Sequence, residues 1–254
     1  MTKLSIIIPA YNEEQRLGST MEAIDAFLNA EGWNAEVIVC DDGSKDGTAD
    51  LVRQFAVDHP RFHVSLAPHN QGKGAAVRRG MLEARGEFLL FSDADLSSPI
   101  EESKRLLYWL EEGYDVAIGS RALPDPNVRI DAQNKRKFIG RIFNFLVQRL
   151  IGLPLHDTQC GFKAFRRDVG KRLFDLQRLN GFSFDVEVLY LAAHQGYSVR
   201  EVAVNWHHVE ASKVNLIKDS LKMFRDLLRI RSMHRHTPKL AKDSASRQTA
   251  GHAL

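Results

Sequence analysis

Short apolar runs of strand length alternate with amphipathic helical segments along the first half of the chain, and each run ends in a polar cluster. Leu4-Ser5-Ile6-Ile7-Ile8 is a β-branched run that Pro9 is expected to stop. Asn12 or its acidic neighbours can cap a helix over about 13–30, with Leu17, Met21, Ile24 and Leu28 on one face. Val37-Ile38-Val39-Cys40 is a second strand, followed at once by Asp41-Asp42-Gly43-Ser44 and a helix over about 48–57 with Leu51, Val52 and Phe55 inward. A third strand, Phe62-His63-Val64-Ser65-Leu66, leads to Asn70-Gln71-Gly72-Lys73-Gly74, which opens a helix through Val77 and Met81. The apolar run Phe88-Leu89-Leu90-Phe91 reads as a strand buried on both faces, and Asp115-Val116-Ala117-Ile118-Gly119 is a further one. This alternation predicts an α/β fold: an open, mostly parallel sheet with right-handed crossovers, flanked by helices. Ligands in such sheets sit beyond the carboxyl ends of the strands, where all the polar clusters fall.

The central strand ends in Asp93-Ala94-Asp95. If the extended backbone continues, the two carboxylates share a side, and their repulsion calls for a cation between them. A hard divalent ion, Mg²⁺ or Mn²⁺, shared with substrate phosphates, meets that need; a plain polar turn is the alternative. Neither common phosphate fingerprint is present. Gly72-Lys73-Gly74 lacks the Ser/Thr and the earlier glycine of a P-loop, and no G-x-G-x-x-G follows the first strand. Glycines 47 and 74 are read as turn positions that need positive φ.

Composition narrows the class further. The chain has 254 residues, 44% hydrophobic and 26% charged, enough for one large domain with an ample core. Its net charge of +3 carries no global nucleic-acid signature. Two cysteines, Cys40 and Cys160, make no disulfide framework, and Cys40 at a strand end suits a small buried hydrophobe. Met1-Thr2-Lys3 runs directly into a strand, so no signal peptide is expected, and no stretch reaches the ~18 apolar residues of a membrane-spanning helix.

With these residues in view, the sequence resembles the inverting GT-A glycosyltransferases of family 2, in the branch that makes polyprenyl- or dolichyl-phosphate sugars. The resemblance rests on Ile8-Pro9-Ala10-Tyr11-Asn12-Glu13, the run Asp41 to Thr48, Asn70-Gln71-Gly72-Lys73-Gly74, Asp93-Ala94-Asp95 and Gly119-Ser120-Arg121. Asp157-Thr158-Gln159-Cys160-Gly161-Phe162-Lys163 and Phe184-Asp185-Val186-Glu187 look like the dolichyl-phosphate glucosyltransferase subgroup. It implies a GT-A domain over 1–235, with a nucleotide-sugar half at about 1–120 and an acceptor half at about 121–235. By the same resemblance Pro9, Tyr11 and Glu13 line the nucleoside pocket, Asp41 accepts a hydrogen bond from the base, Lys73 lies near the donor nucleotide, and Asp93 and Asp95 hold the metal on its diphosphate. Asp157, Arg121 and Asp185 are the candidate catalytic residues. Mannosyl members often carry a glutamine two places after the second aspartate; Ser97 stands there, which weakens a mannosyl assignment and leaves a third metal ligand open.

The implied reaction moves a hexose, glucose from UDP-glucose, onto a polyprenyl or dolichyl phosphate; GDP-mannose as donor, or a non-lipid acceptor, are the alternatives. A sugar-1-phosphate nucleotidyltransferase would place a Gly-rich, Arg-containing loop where Pro9 to Glu13 stands, and a non-catalytic module has no need of Asp93, Asp95 and Arg121 together. A lipid phosphate, with a second pKa of about 6, is already an anion and needs positive charge more than a base. Asp157 is therefore read as an orienting or sugar-binding group. The basic run Asn134 to Arg141 supplies charge, with Arg136, Lys137 and Arg141 as lipid-phosphate ligands; a solvated basic helix start is the alternative.

Glu187 is read as favourable charge at a helix N-terminus, and His207 and His208 as loop or core histidines. Two segments point to a membrane surface. An apolar stripe over Phe138, Ile142, Phe143, Leu146, Val147, Leu150 and Ile151 adjoins the basic run. From Val214 to Arg231, Ile217, Leu221, Phe224, Leu227 and Leu228 alternate with Lys218, Lys222, Arg225, Arg229 and Arg231, as in an interfacial helix; docking on the protein's own core would give the same stripe. The expectation is a cytoplasmic protein peripherally bound to the cytoplasmic face of a membrane, with no nucleic-acid partner and a disordered tail over 236–254.

Overall fold

A computed structural model of the chain describes residues 2–131, 144, 147–208 and 216–238. Seven strands form one sheet: β1 (Leu4–Ala10), β2 (Ala35–Asp41), β3 (Phe62–Leu66), β4 (Phe88–Ser92), β5 (Val116–Ser120), β7 (Phe162–Arg166) and β8 (Val199–Ala203), in the order β3-β2-β1-β4-β7-β5-β8. All neighbours are parallel except β7, which runs antiparallel to both β4 and β5. Two short strands, β6 (Ile130–Asp131) and β9 (Trp206–His207), pair beside it.

Side-chain alternation along each central strand divides the core in two. Leu4, Ile6, Ile8, Phe88 and Leu90 face α1 (Leu17–Glu31), α2 (Thr48–Asp58) and α4 (Ser103–Glu111). Ile7, Leu89 and Phe91 face α3 (Lys73–Glu83), α5 (Arg167–Leu176), α6 (Phe184–Gln195) and α7 (Leu216–Met233). The helices cover both faces, so the near-continuous apolar strands are buried on both sides, as the sequence predicts. Cys40 is one such residue, and burial pushes its thiol up to about 12.

Pro9 does not end β1. The strand continues to Ala10, with Pro9 opposite Cys40. The Ala10 carbonyl accepts the Asp42 N–H (2.9 Å), so Ala10 bonds toward β2 and Pro9 toward β4, whose pairing has already ended at Ile7↔Phe91. No ladder N–H is needed there, and proline is tolerated. Nor does Asn12 cap α1, which begins at Leu17. Asn12 has φ +54°, and its Oδ1 accepts the Lys45 N–H across the neighbouring loop (2.8 Å).

Candidate active site

Because β1, β2, β3, β4 and β5 are parallel, their carboxyl ends and the loops that follow lie along one edge. These loops are tied to one another by side chains that bond backbone groups. Asn12 N–H donates to Ser44 Oγ (2.9 Å), Glu13 N–H to Thr48 Oγ1 (2.8 Å), and the Asp42 carboxylate accepts the N–H groups of Gln71 (3.0 Å) and Gly72 (2.7 Å). Asp41 is buried; its Oδ1 accepts the Ser44 N–H (2.7 Å), while Oδ2 has no hydrogen-bond partner among the described residues. A buried carboxylate oxygen left unmatched is an acceptor in want of a donor. Opposite Asp41 in the register is Ala10, flanked by Pro9 and the half-buried Tyr11.

The paired aspartates are not on extended backbone. β4 ends at Ser92, and 93–96 form a turn in which Leu96 N–H donates to the Asp93 carbonyl (3.2 Å) and Leu96 takes φ +45°. Asp95 Oδ1 caps the turn by accepting the Ser97 N–H (2.9 Å), and Thr20 Oγ1 donates to the Ala94 carbonyl (2.7 Å). A non-glycine residue at positive φ costs free energy and persists only where its surroundings enforce it. Both carboxylates still lie within electrostatic reach of the same two cations, Arg16 and Lys73.

Lys73 Nζ is 2.6 Å from Asp93 Oδ1. Burial alone would lower the Lys73 pKa, but the charges of Asp93 and Asp185 hold it raised. Arg16 is fixed by Glu13, whose Oε1 accepts from Nη2 (2.8 Å) while Oε2 accepts from Nε. The Glu13 carboxylate thus serves Arg16. Neither Gly47 nor Gly74 has positive φ, contrary to expectation; what each requires is close approach. A Cβ on Gly74 would lie 2.7 Å from the Leu179 carbonyl oxygen, and one on Gly47 2.8 Å from the Glu14 carboxylate.

On the other side, Arg121 and Asp157 form a bidentate pair, with Nε to Oδ2 at 2.7 Å and Nη2 to Oδ1 at 2.9 Å; the Arg121 N–H also donates to Oδ2 (3.0 Å). Burial would raise the Asp157 pKa, yet the Arg121 charge and hydrogen bonds hold it below the ordinary carboxylate value. Glu201 fixes this loop by accepting the N–H groups of His156 (2.9 Å) and Asp157 (2.7 Å). Asp185, in the first turn of α6, is buried against Lys163 Nζ (2.5 Å), which also donates to the Cys160 carbonyl (2.6 Å). Burial raises the Asp185 pKa, and Lys163 and Lys73 offset this in part. Lys163 closes the motif that begins at Asp157, yet the sequence assigns it no role, and nothing local marks Arg16, an arginine before a helix, as part of a site. Arg136, Lys137 and Arg141 lie outside the described residues, as does 239–254. His207 is exposed in β9, its N–H donating to the Ser97 carbonyl (2.8 Å).

Gly161 backs the aspartate turn. Its carbonyl accepts the Asp93 N–H (3.1 Å), and an added Cβ would lie 2.0 Å from Asp93 Oδ2. Gly161→Ala is therefore expected to displace that carboxylate and lower turnover about a hundredfold, with the melting temperature little changed. Activity at saturating donor, set against a thermal melt, checks this.

An open α/β sheet thus gathers paired carboxylates, flanking cations and an unmatched buried acceptor at its strand ends, a candidate active site. Residues 5–174 match the family described as glycosyl transferase family 2, and the chain belongs to it. It is 37% identical over 243 residues to a dolichyl-phosphate beta-glucosyltransferase of Dictyostelium discoideum, covering 90% of this chain and 73% of that protein. The enzyme of the same name from Drosophila melanogaster is 39% identical over 247 residues, with 90% and 74% covered. Among solved structures, glucosyl-3-phosphoglycerate synthase from Mycobacterium tuberculosis in complex with Mn²⁺ and uridine-diphosphate-glucose superposes with a TM-score of 0.62 at 18% identity, covering 91% of this chain and 79% of that one. The fold is therefore that of the GT-A glycosyltransferases.

Proposed function

We propose that this chain transfers glucose from UDP-glucose, with inversion, to a polyprenyl or dolichyl phosphate. What carries the reading is its likeness to the dolichyl-phosphate beta-glucosyltransferases, which extends over 90% of the chain and so across both the Asp93 and the Asp157 sides of the cleft. Asp41 Oδ2 is suited to accept an N–H from the base, with Pro9 and Tyr11 flanking the residue opposite it in the register. Asp93 and Asp95 are hard oxygen donors that suit Mg²⁺ or Mn²⁺. A divalent ion held by these carboxylates would share its coordination with diphosphate oxygens and water. Bound there, the metal supplies Lewis acidity to the departing diphosphate. Lys73 and Arg16 add fixed positive charge to the same place.

A lipid phosphate needs a cation to hold it and no strong base to activate it. Arg121 is that cation. Asp157 is poorly suited to take a proton, since both its oxygens accept from Arg121 and its pKa is depressed. Its role is to aim the guanidinium; Arg136, Lys137 and Arg141 are further candidates for the phosphate.

A lipid acceptor calls for a membrane surface, and the proposal is that the chain works at the cytoplasmic face, approaching it from the cytoplasm. No helix among the described residues is long and apolar enough to cross one. α7 combines the two alternatives that its sequence allows: Met223, Leu227 and Ile230 are buried in the core, whereas Phe224 (37% exposed) and Leu228 (56%) point outward beside exposed Lys222, Arg225 and Arg229. Burying the exposed part of these two side chains in a bilayer interface contributes about 1 kcal/mol each, and basic residues near an anionic surface about 1 kcal/mol each. Phe224→Ser combined with Leu228→Ser is expected to abolish flotation with anionic vesicles at unchanged fold; equal flotation of the double variant would remove α7 as the contact.

The decisive assay offers UDP-glucose and GDP-mannose separately to the purified protein with Mg²⁺ or Mn²⁺ and a polyprenyl phosphate. Sugar label in an organic-extractable, acid-labile product from UDP-glucose is expected. Product from GDP-mannose instead would overturn the sugar, and nucleotide release without lipid product would overturn the acceptor.

A further inference from the structure

Glu187 is 0% exposed, and so is His234, which follows α7. The first turn of a helix explains an acidic residue at this position but not its complete burial, which a carboxylate tolerates only when its oxygens are matched. They are matched away from its own helix. Oε1 accepts the Arg178 N–H (2.9 Å), Oε2 accepts the Leu179 N–H (2.8 Å), and His234 Nε2 lies 2.6 Å from Oε1.

The segment so held, 177–181, grips the start of α3. The Asn180 carbonyl accepts the N–H groups of Gly74 (2.8 Å) and Ala75 (3.3 Å), and Gln177 Nε2 donates to the Gly74 carbonyl (2.9 Å). The fit leaves no slack, because a Cβ on Gly72 would lie 2.4 Å from the Asn180 oxygen. Between these glycines stands Lys73, whose ammonium meets Asp93. α7 is joined to the same segment by Arg178 Nη1 to the Met233 carbonyl (2.7 Å), and about two turns earlier to the start of α6 by Ser183 Oγ to Asp226 Oδ2 (2.8 Å).

We infer that Glu187 is a positioning residue for the donor side of the cleft: through the 177–181 segment it sets where Lys73 stands, with the end of α7 as its buttress. The inference rests on reading the Lys73–Asp93 side as the place of the nucleotide diphosphate. It assigns to the acidic residue of Phe184-Asp185-Val186-Glu187 a task distinct from helix-end electrostatics, and it makes α7 part of the support of the donor site.

Glu187→Gln keeps the shape but turns one acceptor into a donor that faces another donor, so 177–181 must shift. The expected result is a rise of roughly tenfold in KM for UDP-glucose, with KM for the lipid phosphate unchanged and kcat altered far less. A purely structural role would lower the melting temperature and the active fraction without that split. Amide hydrogen exchange on the unaltered protein gives an independent test. Adding UDP with Mn²⁺ should slow Arg178 and Leu179 together with Gly74 and Ala75. A folded Glu187→Gln protein with unchanged donor KM, or slowing confined to Gly74 and Ala75, overturns the inference. Failure of the unaltered protein to bind UDP removes the donor reading, and this inference with it.

Discussion

Asp93→Ala is expected to reduce turnover by about a thousandfold or more and to leave the protein folded. The carboxylate stands where the chain leaves the sheet, about one-third exposed, and its loss opens no cavity in the core. Its electrostatic position is what cannot be replaced. Asp95 and Asp93 share the field of Lys73 and Arg16, and removing Asp93 takes from Lys73 its nearest counter-charge. A divalent ion would then lose one of the two carboxylates proposed to hold it and meet a more positive surrounding. Lewis-acid assistance is worth several kcal/mol, and ~4 kcal/mol corresponds to about three orders of magnitude in rate. In a chelator-treated sample, Mn²⁺ should restore the unaltered protein and fail to restore the variant. Full activity of Asp93→Ala would remove this carboxylate from the reaction.

Lys163→Met should produce the largest loss of stability, about 3–5 kcal/mol, because it strands the buried Asp185 carboxylate. Lys163 is 2% exposed in β7, and its ammonium is satisfied by Asp185 and the Cys160 carbonyl. For a chain of this size the loss corresponds to a fall in melting temperature of roughly 6–20 °C. Neutralising the partner as well, in Lys163→Met with Asp185→Asn, should recover at least half of it. Burial already raises the Asp185 pKa above its ordinary 3.8. A carboxyl whose folded pKa is raised favours folding when protonated, so the deficit should be full above the folded pKa and shrink as pH falls through it toward 3.8. A single variant within about 1 kcal/mol of the parent would show that the pair has little net worth.

What was legible in the sequence is what depends on neighbours along the chain. β1 to β5 and α1 to α3 follow from periodicity, and Asp93 and Asp95 announce themselves by adjacency. Of the two readings open to them, extended backbone or polar turn, the structure has the turn, and its left-handed Leu96 is held by tertiary contacts that no local rule contains. Pro9 was misjudged for a similar reason: whether a proline ends a strand depends on whether a neighbour needs its N–H, and β4 is too short to need it. Arg16, Lys163 and the true partners of Glu187 join the site through contacts between distant segments, from Lys163 with Asp185 to Glu187 with His234. The sequence leaves α7 open between core and interface; Leu227 and Leu228 stand roughly 100° apart on the helix, and packing buries the first and leaves the second exposed.

β7 bears on how such an enzyme can change its acceptor. This strand comes from the later half of the chain, yet it lies between β4, which carries Asp93, and β5, which carries Arg121 at its end, and it completes the ladders of both. The residues just before it, Asp157 to Gly161, therefore travel with the hydrogen bonds that close the middle of the sheet. No cut through the sequence separates a donor module from an acceptor module without unzipping that centre. New acceptor preferences in this architecture have to arise by altering loops in place, since exchanging a cassette between relatives would carry a central strand along with it.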